Sequence, residues 1–193
     1  MEKLEEPENK GKNKSPFHIE LHSTCNLGIV KETSIPFNDF LTFGKNLIIT
    51  KMQSITVWTT IIKNKEIISG LQFSYKVLDN GEELKTEEFR GAVGPDDKTF
   101  KFEVKYGEYI NYFQLWTDNK FIYQLEFSTN RKRIFHVGYG GGVEILTDLH
   151  KTNDILIASF GGYNDSIHSL GFYFMNRKEF KMYILKKCKN AQL

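Results

Sequence analysis

The densest set of side chains able to do chemistry lies in the segment from Ser159 to Gly171 of this 193-residue chain. An apolar run enters Gly161 and Gly162. Tyr163, Asn164, Asp165 and His168 follow, and a second apolar run begins at Leu170. Sugar sites are often built this way. Backbone N–H groups and an Asn or Asp bind hydroxyls, while an aromatic face covers the C–H side of the ring. Tyr163, or the tyrosine Tyr139 of the glycine-rich run 138–142, supplies that face. The same residues also read as an ordinary polar hairpin, and the segment alone leaves both readings open.

A second set is cationic. Arg177, Lys178, Lys181, Lys186, Lys187 and Lys189 stand against the single acid Glu179. With Arg131, Lys132 and Arg133 they compose a patch for phosphate, anionic lipid or an acidic protein. The alternative is a solvated strand edge on which lysines guard against strand addition.

Signals for catalysis are missing. The chain has no G-x-S-x-G elbow, no H-E-x-x-H, no P-loop and no C-x-x-C. The run from Gly138 to Val143 looks like a dinucleotide loop, but no helix follows to present its N-terminus to a phosphate. His18, His22 and Cys25 have the spacing of metal ligands, with Glu20 on the same strand face. A structural zinc site wants four ligands, and nothing nearby completes the set. The expectation is no metal, no cofactor and no enzyme.

Composition narrows the class further. Lys plus Arg is 26 and Asp plus Glu is 24, a formal charge of +2, whereas a dedicated nucleic-acid binder is strongly basic. At 40% hydrophobic and 26% charged, the chain is neither disordered nor a membrane protein, and no apolar run of about 18 residues inserts into a bilayer. Two cysteines, Cys25 and Cys188, exclude a disulfide scaffold. The start, Met1-Glu-Lys-Leu-Glu-Glu, has no apolar leader region, so a cytoplasmic location with free thiols is expected.

The elements that must position these groups are strands. Leu71, Phe73 and Tyr75 alternate with polar residues, as do Phe100, Phe102 and Val104. Tyr123, Leu125 and Phe127 alternate with Gln124, Glu126 and Ser128, and Leu170, Phe172 and Phe174 alternate with Gly171, Tyr173 and Met175. Each set puts its large residues on one face of a strand. Asp79-Asn80-Gly81 is a hairpin signal, and Asp118-Asn119 and Thr129-Asn130 act similarly. Pro36, Asn38 and Asp39 mark a further turn, while Phe17 to His22 alternates as a half-buried strand. Strands of this length, separated by turns, predict an all-β sandwich, barrel or prism. Residues 2–14 carry Glu2, Glu5, Glu6 and Glu8, then four lysines, with Leu4 the one clear apolar residue. Such a stretch reads as a solvated tail, or as an arm that orders on a partner.

Between about Ile55 and Tyr173 stand, in order, Ile67 to Tyr75, Asn80-Gly81, Gly91 to Gly94, Gly107 to Ile110 and Ile122 to Asn130. Gly138 to Gly141, Phe160 to Gly162 and Ile167 to Gly171 complete the series. The order of these pieces resembles the jacalin-related (mannose-binding-type) lectin domain. The resemblance implies a β-prism of three four-stranded antiparallel sheets. Together with the charge pattern, this gives an expected division into a charged tail at 1–15, an extension with a strand at 16–43, the prism at 44–186 and a basic tail at 187–193. The resemblance also implies a sugar site at Gly161, Gly162, Tyr163, Asn164, Asp165 and His168, with Tyr139. Two departures bear on that site. The family's turn ends in an Asp where this chain has His168, after a turn one residue shorter. A neutral His accepts a hydrogen bond but lacks a carboxylate's two charged oxygens. The family's glycine-rich N-terminal loop is matched only by Phe43-Gly44-Lys45-Asn46.

Two functions follow as expectations. One is a non-catalytic carbohydrate-binding module with a weak or altered site for a mannose- or galactose-type glycan. The other is a prism repurposed as a structural or protein-interaction subunit of a cytosolic or cytoskeletal assembly. In that case Arg177, Lys178, Lys181, Lys186 and Lys187 meet an acidic partner.

Overall fold

A computed structural model describes residues 21–24, 27–28, 31–43, 50–77, 83–86, 90–118, 120–139, 143–146 and 154–182. Three short strands open it: β1 (Leu21–Ser23), β2 (Leu27–Gly28) and β3 (Ile35–Asn38), followed by a helical turn α1 (Asp39–Phe43). The hairpin β4 (Thr50–Ile62) and β5 (Lys65–Val77) comes next, then β6 (Glu83–Lys85), β7 (Arg90–Gly91) and β8 (Lys98–Glu103). A second hairpin, β9 (Ile110–Thr117) and β10 (Ile122–Thr129), leads to β11 (Ile134–Gly138) and β12 (Val143–Leu146). A third, β13 (Asp154–Tyr163) and β14 (Ile167–Asn176), runs into a helical segment at 177–182.

Each hairpin is the centre of one antiparallel sheet. The orders are β6-β5-β4-β8, β11-β10-β9-β12 and β1-β14-β13-β3. The all-β prism of three sheets read from the sequence is therefore the observed fold. The strand count differs in one respect: two sheets hold five strands, because β7 also pairs β5 and β2 also pairs β14. In each case an edge strand is broken in two at a threonine. Thr86 donates its N–H to the Phe73 carbonyl at 3.0 Å, and its hydroxyl oxygen accepts the Phe73 N–H at 2.9 Å. Thr24 repeats both bonds with Phe172, each at 2.9 Å. The hydroxyl takes the place of a ladder carbonyl at the break.

The hairpins share a second device. Each carries one bulge near its open end and one near its turn. The extra residues at the open ends are Gln53, Asn111 and Ile157. Those near the turns are Ser69, Tyr123 and His168. Bulges bend a strand and re-aim a side chain, so three equivalent positions at each end of the prism are singled out by backbone alone.

The core lies where the sheets meet. Phe73 of β5, Phe127 of β10 and Phe172 of β14 are fully buried, with Phe172 at 6.1 Å from Phe73 and 5.9 Å from Phe127. Phe113 lies 4.4 Å from Phe172. Burying one such ring is worth about 1.5–3 kcal/mol. This is the reason for the alternation: one face of each sheet must supply a wall of that core.

The N-terminal segment is part of the prism. Residues 16–43 are an extension in the sequence reading, yet β1, β2 and β3 complete the third sheet around β13 and β14. Strands of two to four residues are too short to show a period. The expected turn at Pro36, Asn38 and Asp39 is also different in kind. Pro36 sits in the edge strand β3, where its missing N–H costs no ladder bond on the open side. Asn38 caps α1, its Oδ1 accepting the Leu41 N–H at 3.1 Å. Asp39 is wholly buried. It pairs with the buried guanidinium of Arg90 and accepts hydrogen bonds from Ser159 and, at 2.6 Å, from Tyr75. Burial and the Asp39 charge push the Tyr75 hydroxyl well above its ordinary pKa. This knot fastens α1 to the first and third sheets. The tails at 1–15 and 187–193, most of the Phe17–His22 strand, the Asp79-Asn80-Gly81 turn and both cysteines lie outside the described residues.

Candidate functional site

The turn between β13 and β14 is shorter than the sequence implies. β13 continues through Gly161 and Gly162 to Tyr163, and β14 resumes at Ile167. Only residues 164–166 turn, closed by the Asn164 N–H on the Ser166 carbonyl at 3.0 Å. Asn164 and Asp165 are exposed at the tip, while Ser166 is buried.

The two glycines lie within β13, between β14 and β3. They lie opposite Phe37 and Pro36 of β3. A Cβ on Gly161 would come within 2.2 Å of the Ser169 carbonyl and 3.0 Å of the Phe37 ring. A Cβ on Gly162 would stand 3.2 Å from the Ser34 Cβ. Their missing side chains let β3 and the turn before it approach. Tyr163 is half-buried and leans on Phe37, with ring centroids 6.2 Å apart.

His168 occupies the bulge near this turn and is 6% exposed. Its ring faces residues 31–34, a turn closed by the Ser34 N–H on the Lys31 carbonyl at 2.9 Å. Nε2 lies 3.3 Å from the Lys31 Nζ, and Nδ1 lies 3.1 Å from the Ser34 Oγ. An ammonium only donates, so Nε2 is the acceptor and Nδ1 carries the proton toward Ser34. Ser34 Oγ also accepts the Lys31 N–H at 3.2 Å, which leaves its hydroxyl proton to point elsewhere. Burial, then the Lys31 charge, lowers the His168 pKa, with Asp165 opposing. The imidazole is thus neutral near pH 7.

Lys31 bridges to the next sheet, its Nζ 5.9 Å from the Phe121 ring centroid. Phe121 is held by Asp118, whose Oδ1 accepts the N–H groups of Lys120 and Phe121 at 3.0 and 3.2 Å. Tyr123 donates its hydroxyl to the other oxygen of Asp118. Burial and that carboxylate push Tyr123 up to about 12. Burial alone would raise the Asp118 pKa, but the Tyr123 hydroxyl and the two N–H groups hold it below the usual carboxylate range. One end of the prism therefore gathers Lys31, Ser34, Phe121, Asn164 and Asp165 around His168.

The family model of the jacalin-like lectin domain matches residues 41–173. The chain belongs to the jacalin-like lectin domain family. Solved structures agree on the fold. AcmJRL, a mannose-binding jacalin-related lectin from Ananas comosus, is 19% identical with a TM-score of 0.59, covering 81% of this chain and 98% of its own. Frutapin, a lectin from Artocarpus incisa, is 19% identical with a TM-score of 0.61, covering 82% and 99%. The lamprey immune protein is 23% identical with a TM-score of 0.56, covering 83% of this chain and 45% of its own. No curated protein matches the sequence.

In this jacalin-like domain the position expected to hold the family's Asp is an inward-facing histidine. Gly44, Lys45 and Asn46, read as the counterpart of the glycine-rich loop, lie outside the described residues. The segment seen beside the turn is 31–34. Tyr139 leaves the end of β11 in a different sheet from the 164–166 turn, 83% exposed. Of the cationic residues, Arg177, Lys178 and Lys181 share the helical segment 177–182, a helix rather than a strand edge, while Lys186 and Lys187 lie outside the described residues. Among the described residues no cluster of His, Cys, Asp or Glu is fit to hold a metal, and no helix is long and apolar enough to cross a membrane. Lys31, Ser34 and Phe121 were not legible as site residues. The polar run from Lys31 to Ser34 marks a turn and nothing more.

Proposed function

We propose that this protein is a non-catalytic carbohydrate-binding module whose site, altered from the family's pattern, lies at the 164–166 turn. The observation that carries the proposal is the union of Asp165 and Asn164, exposed at the tip, with Lys31 and Ser34 beside the neutral His168. Two spare N–H groups of Lys31, the Ser34 hydroxyl and the Asp165 carboxylate offer donors and an acceptor to adjacent sugar hydroxyls. The Phe121 ring offers an apolar face beside them. AcmJRL, similar in fold, is described as mannose binding. A shallow site of this kind is weak alone, about mM, and gains through multivalency.

A glycan array probed with the multimerised protein tests the reading. Binding to mannose- or galactose-type glycans is expected, with loss of at least about tenfold in Asp165→Ala, a step of ~1.4 kcal/mol. Binding unchanged by that substitution moves the site elsewhere, and an empty array ends the proposal.

The exposed Lys178 and Lys181 favour a second reading, a prism that meets an acidic protein partner as a subunit of an assembly. Capture of one partner by the full chain, released by salt and not by mannose or galactose, supports it.

A further inference from the structure

At the end of the prism opposite the hairpin turns lies a cavity of about 570 Å³, a size typical of small-molecule sites. The open ends of all three hairpins border it. Val104, Tyr109, Ile155 and Phe180 give it apolar walls. Lys76, Arg177 and Lys181 line it with positive charge, and Tyr106, 97% exposed, stands at its edge. Gln53, the extra residue of the β4 bulge, is turned into its lining. We infer that this cavity binds an amphiphilic anion, with its apolar body on Val104, Ile155 and Phe180 and its charged head among Lys76, Arg177 and Lys181.

Charge is the first argument. The ion pairs of the described residues use Lys85, Arg90, Lys98, Lys101, Arg133 and His136. Lys76, Arg177 and Lys181 stand outside them, three like charges around one opening. Mutual repulsion at such a site is relieved by an anion. The carboxylate in the lining does not supply it, because Glu108 is already satisfied. It accepts the Thr129 hydroxyl at 2.7 Å and the Lys105 N–H at 2.9 Å, and pairs with Arg133 at 3.3 Å. Burial would raise its pKa, but these partners hold it below the usual range.

The apolar surface is the second argument. A binder of inorganic anions needs donors and no hydrocarbon. Here Phe180 and Tyr109 form a wall, with the Arg177 guanidinium 5.2 Å from the Tyr109 ring centroid. That stacking orients the cation over the aromatic surface, so a head group meets charge where its apolar body meets the wall. The cavity shares no residue with the site at the 164–166 turn, so this inference does not rest on that one.

Calorimetric titration of the full chain with dodecanoate, below its micelle concentration, tests the inference. Saturable binding of one molecule per chain is expected, weakening as salt rises. Acetate, which lacks the body, and an uncharged alkyl polyoxyethylene of equal chain length, which lacks the charge, should bind at least tenfold more weakly. The double variant Arg177→Glu, Lys181→Glu should lose at least tenfold while its circular dichroism is unchanged. Lys76→Gln, on β5 and not on the helical segment, provides a second variant with a loss of several-fold. Equal binding of the uncharged amphiphile overturns the inference, as does full affinity in both variants. Absence of saturable binding overturns it too, including the case in which the chain binds only vesicles of anionic lipid.

Discussion

His168 shows how a side chain that the sequence offers for ligand contact can be turned into the protein instead. The sequence points to it because it stands where a carboxylate is expected. The structure turns it inward, with Nε2 accepting from Lys31 and Nδ1 donating to Ser34. Protonation would place a second positive charge beside the Lys31 ammonium and remove the acceptor. Its folded pKa is lowered by burial first and Lys31 second. A depressed folded pKa means that the unfolded chain takes up the proton more readily. The stabilising contribution is therefore present above the unfolded pKa of about 6.5 and is lost as pH falls through the folded value. Urea midpoints at pH 7.5 and pH 5 should consequently fall further in the wild type than in His168→Gln, which keeps an acceptor and does not titrate. Parallel declines would show that the histidine is not held neutral. Lys31 and Ser34 lie 137 and 134 residues from His168 in sequence, and no local pattern announces that meeting.

At the scale of elements, the alternating runs were legible because the core demands them. Phe73, Phe127 and Phe172 had to face one way, and each sits inside a run whose period was plain. The interruptions were not legible. The bulges at Gln53, Tyr123 and His168 add one residue without changing composition, and β6 and β7 are each too short to alternate. Pro36 and Asn38 looked like turn residues. They are an edge-strand proline and a helix cap, two other uses of the same local chemistry. The threonine breaks are the sharpest case, because threonine is common in strands and gives no hint that its side chain completes a ladder. Thr86→Val keeps the shape and removes the acceptor for the buried Phe73 N–H. The expected loss is about 1–3 kcal/mol, the cost of an unsatisfied buried donor. Thr24→Val should cost less, because its bond to the Phe172 N–H is only partly buried. Chemical denaturation of both variants checks the order. Equal and negligible losses would mean that water replaces the hydroxyl at both breaks.

The whole molecule is closed by joining distant parts of its chain. β1 and β2 line one side of the third hairpin and β3 lines the other, so residues from 21 to 38 seal strands that begin at Asp154. The buried knot at Asp39 adds a fastening, and the Arg90 guanidinium rests 4.0 Å over the Phe37 ring. Such long-range pairing is costly in loop entropy, so folding should be slow for a chain of this size. It also makes the N-terminal strands essential to stability rather than decorative. A chain beginning at residue 39 loses the partners of both β13 and β14. Each net backbone hydrogen bond is worth about 0.5–1.5 kcal/mol, and a domain holds only about 5–15 kcal/mol in total. Two freed edges in one hairpin also offer ladders to other chains. The shortened protein is therefore expected to aggregate or elute as oligomers on size exclusion, with the cooperative melt lost. A chain lacking only residues 1–15 keeps every described strand and serves as the length control. A monodisperse monomer from the shorter chain, melting where the control melts, would show that sheet closure is carried by β4 to β14 alone.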